Sequence, residues 1–289
     1  MKKTVWMLMA FVMLTTVFSA CKKKNTEINY QNQLNSVHNI NLLQHTIAEF
    51  STTFVKALDD SLLLNTNNSL IEGCYVRLNT LGNKDTLFMD YGTGSFVHDR
   101  RMEGIIIVEI EGGLNEIGSM ATFNFKSLKY DLLPLPDSTG LNIISSGSFK
   151  LSLNSRTQNT VNFSEDFVDF MTTDSLNRNW AAMTGQSTYT YIKYGNSNYY
   201  SQDDTIKITM DATYIDYNNR QLTNTSIIPS QLGKNCSYLM LGTTQIDITA
   251  PTVESGILIF NDTPKVCMSR FKYEMNDKPF EFEQEWLVK

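Results

Sequence analysis

From Ile71 onward, apolar and polar residues alternate with a period of two, and short clusters of Asn, Asp and Gly interrupt the alternation. Because successive side chains of a strand point to opposite faces, this is the pattern of an antiparallel meander with one buried and one wet face. It predicts strands over Cys74–Leu81, Lys84–Tyr91, Gly104–Glu111, Ala121–Leu132, Gly147–Leu153, Ser187–Tyr194, Asp204–Tyr217, Ser237–Ile248, Gly256–Phe260, Val266–Met275 and Phe280–Val288. The last pair shows the logic. Phe271, Tyr273 and Met275 alternate with Arg270, Lys272 and Glu274, Asn276-Asp277 turns the chain, and Phe280, Phe282 and Trp286 then alternate with Glu281, Glu283 and Glu285.

One segment has a different period. Between Ser36 and Asp60, the apolar residues Ile40, Leu43, Ile47, Phe50, Phe54 and Leu58 recur every three or four positions, which predicts an amphipathic helix. His38 and His45 fall on the opposite side, seven apart, and read as solvated surface rather than a metal pair. The Asn-rich run Asn65–Ser69 is expected to end the helix and open a loop. The predicted fold is therefore mainly β: an antiparallel meander forming a sandwich or a strongly curved sheet, with one N-terminal helix. A sequence pattern with one buried face fits both forms.

The first residues form a separate segment. Lys2 and Lys3 precede the apolar run Val5–Phe18, then Ser19, Ala20 and Cys21. The run is too short for a membrane span and has the order of a secretory signal. Ser19-Ala20-Cys21 resembles the lipobox of bacterial lipoproteins, which implies a lipid on Cys21. The expected organisation is a signal peptide over 1–20, a lipidated tether over 21–35, and a single β-rich domain over 36–289. Outer-membrane anchoring is expected, on the periplasmic face, because Lys22 lacks the acidic residue associated with inner-membrane retention. Lys23-Lys24-Asn25 likewise lacks the acidic cluster that resembles a surface-export signal.

Charge narrows the partners. The net charge is −6, and the basic tract Lys22–Lys24 belongs to the tether, so nucleic acid is not an expected partner. The membrane, reached through Cys21, and an envelope protein or glycan remain.

Candidate chemistry is sparse. Asp90-Tyr91-Gly92-Thr93-Gly94-Ser95 reads as a strand end and a glycine turn; it lacks the Gly-Lys-Ser/Thr ending of a phosphate loop. Glu109 and Glu111 stand two apart, as paired acids of a glycosidase would, but Ile106, Val108 and Ile110 claim the core face and leave the glutamates wet. Asp59-Asp60 and Asp203-Asp204 lack the alternating spacing of a calcium loop. No catalytic residue, metal or cofactor is predicted. Trp180, Tyr189, Tyr191 and Tyr194 gather beside amide-rich loops; such rings stack on sugars or peptides, and they also pair across ordinary sheets. Cys236 and Cys267 begin strands two apart in the meander, at the same end of the sheet, and are expected to form a disulfide. Cys74 then reads as a buried thiol, or as a nucleophile if His98 were brought to it.

Several of these stretches also carry a likeness. Cys74–Leu81, Met89-Asp90-Tyr91-Gly92-Thr93-Gly94 and Asp99–Val108 resemble the repeat of an uncharacterised family of Bacteroidota lipoproteins: a Cys-led strand, an Asp-Tyr/Phe-Gly loop and a strand ending Gly-Ile-Ile-Val. Asn179-Trp180, Gly185-Gln186-Ser187-Thr188, Asp203–Ile208, Asn235-Cys236 and Lys265-Val266-Cys267 follow in that family's order. His98-Asp99-Arg100 departs from its Asp-Gly-Arg, and Ile259–Cys267 from its second Asp-Tyr-Gly loop. The resemblance implies fold, export and lipidation, and no activity. Cys74–Val108 and Cys236–Phe271 echo one another, which suggests a duplicated β unit (about 71–155 and 156–289). The expected function is that of a noncatalytic binding or scaffold module of the envelope, with a glycan hydrolase or a lipid-carrying half-barrel as alternatives.

Overall fold

The computed structural model describes residues 36–37, 40–41, 43–71, 73–81, 84–97, 100–131, 142–174, 180–193, 205–216, 219–232, 239–249, 254–260, 270–275 and 278–283. Helix α1 runs through residues 43–59, with helical residues also at 36–37 and 40–41. A short helix, α2 (Ser61–Thr66), follows. The strands are β1 (Asn68–Ile71), β2 (Cys74–Leu81), β3 (Lys84–Asp90), β4 (Ser95–Val97), β5 (Arg100–Glu111), β6 (Met120–Asp131), β7 (Asn142–Ser146) and β8 (Ser148–Arg156). They continue with β9 (Thr160–Asp174), β10 (Trp180–Ile192), β11 (Thr205–Asp216), β12 (Gln221–Leu232), β13 (Leu239–Ile248), β14 (Glu254–Phe260), β15 (Arg270–Met275) and β16 (Lys278–Glu283). All belong to one antiparallel sheet, in which sequential strands pair almost throughout. The two echoing stretches, β2-β3-β5 and β13-β14-β15, are each three adjacent strands of it.

Each strand inferred from period two is present over its described residues, and β2 has the predicted bounds; residues 237–238, 266–269 and 284–288 of the predicted spans lie outside the described residues. The pattern did not reveal the short strands β1, β4 and β7, nor the long β9 and β12. In β9 the inward positions read Val161, Phe163, Glu165, Phe167 and then Phe170, so a carboxylate sits in the apolar series and a bulge at Val168-Asp169 shifts its parity. In β12, Asn224 is inward, Pro229 interrupts the strand, and the pairing with β13 slips near Ser226–Ile228. The Asn-rich run ends a helix, as expected, but opens a strand rather than a loop. Asp60 caps α2 by accepting from Leu63 N at 2.7 Å, Asn67 ends it in the left-handed region at φ 61°, and β1 begins at the next residue.

The sheet bends where glycines and a bulge line up across its strands. Strands β7 and β8 are one path broken at Gly147, which has φ +87° and lies against the backbone of Asp169 in the β9 bulge. On the other side of that bulge, Gly185 of β10 has φ +135°, and a Cβ there would sit 2.6 Å from Cα of Ala212 in β11. Bulges and glycine kinks bend strands and increase their twist, so this line of small residues turns the sheet across β7 to β11.

The sheet curves around α1. Helix residues meet β6 through the ring pairs Phe50–Phe125 (5.3 Å) and Phe54–Phe123 (5.2 Å), and Phe123 stacks on Phe149 of β8 at 4.4 Å. Other helix residues reach β9, β10 and β11, detailed below. The six apolar positions of the helix are buried as expected. The opposite face is buried too: Asn41, His45 and Glu49 are 0, 1 and 6 % exposed. His45 is therefore not solvated surface, as the helical period implied; tertiary wrapping removed the wet side. His38 lies outside the described residues. Each fully buried ring contributes about 2–3 kcal/mol of apolar burial, and truncating Phe123 to Ala would cost roughly 3–5 kcal/mol.

The outer face carries polar side chains along with exposed apolar ones, among them Tyr75, Ile105, Val168, Ile215, Ile228 and Ile257. Strand β11 alternates buried Ile206, Ile208, Met210, Ala212 and Tyr214 with Lys207, Thr209, Asp211 and Thr213 on the outside. Strand β5 exposes Arg101, Glu103, Glu109 and Glu111.

Candidate functional site: a buried polar seam along the central helix

Wrapping α1 on every side forces its polar residues to find partners inside the sheet, since an unpaired buried hydroxyl or amide costs about 1–3 kcal/mol. At mid-helix, Ser51 Oγ donates to Glu165 Oε1 of β9 at 2.7 Å. Ser187 Oγ of β10, directly opposite Glu165 in the sheet, donates to Oε2. Glu165 is 1 % exposed. Burial raises its carboxyl to about 7, and the two hydroxyl donors only partly counter that. One residue along the helix, Thr52 Oγ1 is bonded to the Tyr189 hydroxyl at 2.9 Å. Burial pushes the Tyr189 phenol well above its usual range, and the nearby Glu165 adds to this while Thr52 opposes it.

A second cluster lies where α1 meets β2 and β3. Cys74 opens β2 and is a free, buried thiol. Burial pushes it up to about 12; contact with Tyr91 pulls the other way. Tyr91 follows β3 and is itself raised, by burial first and then by Cys74 and Glu49. A thiol held protonated is a poor nucleophile, and Cys74 packs in the core at 1 % exposure. The Asp90–Ser95 turn folds as expected: Gly92 and Gly94 have φ +62° and +138°, and Gly92 N donates to Asp90 Oδ1 at 2.7 Å.

Toward the start of the helix, Gln44 Nε2 lies 3.4 Å from the Tyr214 hydroxyl and 3.4 Å from Met210 Sδ, both on β11. A cavity of about one water's volume opens beside Gln44 and is bounded by Ile208, Met210, Ser226, Ser230 and Thr244. It sits where the β11–β12 pairing slips between Ile208 and Asp211. Both helix ends are tied down. Ser36 Oγ donates to Asp216, which also accepts from Arg220 N at 2.9 Å. At the other end Asp59 pairs with Arg156 and Lys193, and Asn115 Nδ2 donates to Leu58 O at 3.0 Å.

Among the described residues, those singled out from the sequence do not converge on one site. Tyr189 and Tyr191 are 0 and 1 % exposed; they face the helix and the core, so they form no stacking platform at the surface. This corrects the reading of these aromatics as a ligand surface, because strand parity turns both rings inward. The side chain of Trp180 and the whole of Tyr194 lie outside the described residues, as do Cys21, His98, Cys236 and Cys267. Glu109 and Glu111 are exposed, as parity required, and Glu111 meets Lys84 at 3.4 Å. Glu165 was missed, although its place in the series Val161, Phe163, Glu165, Phe167 marks it as an inward acid. Among the described residues, no group of acids, cysteines or histidines has the arrangement of a metal site.

No protein-family model matches this chain, and none of the curated proteins or solved structures matches it.

Proposed function

We propose that the chain is an exported lipoprotein, held by a lipid on Cys21 to the periplasmic face of the outer membrane, and that its domain is a noncatalytic binding or scaffold module for an envelope protein or glycan. The lipobox-like Ser19-Ala20-Cys21 and the likeness to Bacteroidota lipoproteins support export and lipidation. The observation that carries the noncatalytic reading is the helix itself. α1 fills the space inside the curved sheet, and among the described residues the acids and thiol singled out for chemistry are either sealed against it, as Glu165 and Cys74 are, or exposed on the outer face, as Glu109 and Glu111 are. A hydrolase needs convergent groups open to substrate, and a lipid-carrying half-barrel needs the interior that α1 occupies. The two halves of the sheet, folded over the helix, would make a sandwich-like body that offers its outer surface to a partner.

The test is to express the full chain and its Cys21→Ser variant in cells fed a clickable palmitate, then separate inner and outer membranes. Label on the parent chain alone, in the outer-membrane fraction, is the expected result. Equal label on both chains, or a parent chain in the soluble fraction, overturns the anchoring. Turnover of glycan substrates by the purified chain, lost on substitution of Glu109 or Glu111, overturns the noncatalytic assignment.

A further inference from the structure

The seam along α1 includes a carboxyl set among apolar side chains, with hydroxyls as its polar neighbours. Glu165 is flanked on its own strand by the inward rings of Phe163 and Phe167, and across the sheet by Leu151 of β8 and Ser187 of β10. The helix presents Ser51 and Thr52 to this site. Among the described residues, Tyr189 of β10 is the ionisable group that faces it; Glu49 interacts with Tyr91 on another side of the helix. Glu165 is therefore the charge-bearing link between the middle of α1 and the bend of the sheet, and just two hydroxyls solvate it.

We propose that Glu165 is a proton-operated latch for the central helix: the neutral carboxyl keeps α1 seated against β9 and β10, and the carboxylate loosens it. An ionised oxygen pair enclosed by two phenylalanines and a leucine with two hydroxyl donors is undersolvated, and admitting water along the polar side of α1 relieves it. A neutral carboxyl keeps both hydroxyl contacts without that cost, since a Ser hydroxyl can turn to accept.

The direction with pH follows from the two states. Seated, the group titrates near 7, and released into water it titrates near its ordinary 4.5. The seated state thus holds an extra proton between these values. Seating is strongest in acid, weakens as pH rises from 4.5 through 7, and changes little above that, once both states are ionised. From about pH 6 to about pH 8 the opening equilibrium should rise roughly tenfold.

Amide hydrogen exchange on the full chain, with protection factors corrected for the intrinsic rate, tests this. Protection over residues 43–59 should fall about tenfold across that range while β2, β3 and β5 keep theirs, and the Glu165→Gln variant should show no such fall. Ser51→Ala removes a donor to the carboxylate, so it should move the midpoint of the helix opening to higher pH. A fall of equal size in Glu165→Gln, a parallel loss across the whole sheet, or a midpoint in Ser51→Ala that stays put or drops would each overturn the latch. Should Glu165→Gln fail to fold, the Ser51→Ala midpoint decides on its own.

Discussion

Replacing Gly147 by Ala tests whether the bend across β7 to β11 depends on the close approach of two backbones. The substitution does two separable things. It places a side chain on a residue with φ +87°, which costs an L-residue about 1–2 kcal/mol, and it drives a Cβ into the carbonyl oxygen of Asp169, which is backbone and cannot swing aside. Overpacking of that kind adds roughly 1–3 kcal/mol. Gly118 provides the matched control. It has φ +90°, and a Cβ there meets nothing within 4 Å, so Gly118→Ala carries the backbone cost without the collision. Urea unfolding followed by far-ultraviolet circular dichroism should therefore rank Gly147→Ala about 1–3 kcal/mol below Gly118→Ala. In melting temperature the gap is roughly 2–12 °C for a domain of this size. Equal losses in the two variants would mean that the sheet yields freely at Gly147, and the account of its curvature would fail.

Cys74 should be alkylated about a thousandfold more slowly at pH 8 than an ordinary thiol, because its thiolate is rare when the group titrates near 12 rather than 9; site-resolved mass spectrometry checks this, and native-state labelling at the rate of a free thiol would refute it. Asp59→Asn should destabilise the domain by roughly 1–3 kcal/mol in urea unfolding, since it removes the carboxylate that Arg156 and Lys193 share at the end of α1; an unchanged midpoint would show that the helix end is held by Asn115 alone. Tyr189→Phe should cost about 1 kcal/mol through the lost bond to Thr52 without altering affinity for any added oligosaccharide, and a change in glycan affinity would restore the surface role denied to this ring. Glu109→Gln and Glu111→Gln should each leave stability within about 0.5 kcal/mol of the parent.

The alternation of Phe, Tyr, Ile and Val with charged residues marked most of the strands and the inward side of each, because a strand's period is fixed by its covalent geometry; β1, β4, β7, β9 and β12 did not emerge from it. The placement of Ile106, Val108 and Ile110 inward and of Glu109 and Glu111 outward could be read directly from the chain. The apolar stripe Ile40–Leu58 likewise specified a helix and one of its buried faces. The fate of the other face, His45 included, could not be read locally, since it depends on how far a sheet assembled from residues distant in the chain curls around it. That curl depends on Gly147 and Gly185, which in the sequence look like any other turn signal and become bends only when the bulge of β9 lies between them. Glu165 shows the same division: period two marks it as inward, but only the closed wrapping supplies Ser51 and Ser187 and removes the water that would otherwise solvate its charge.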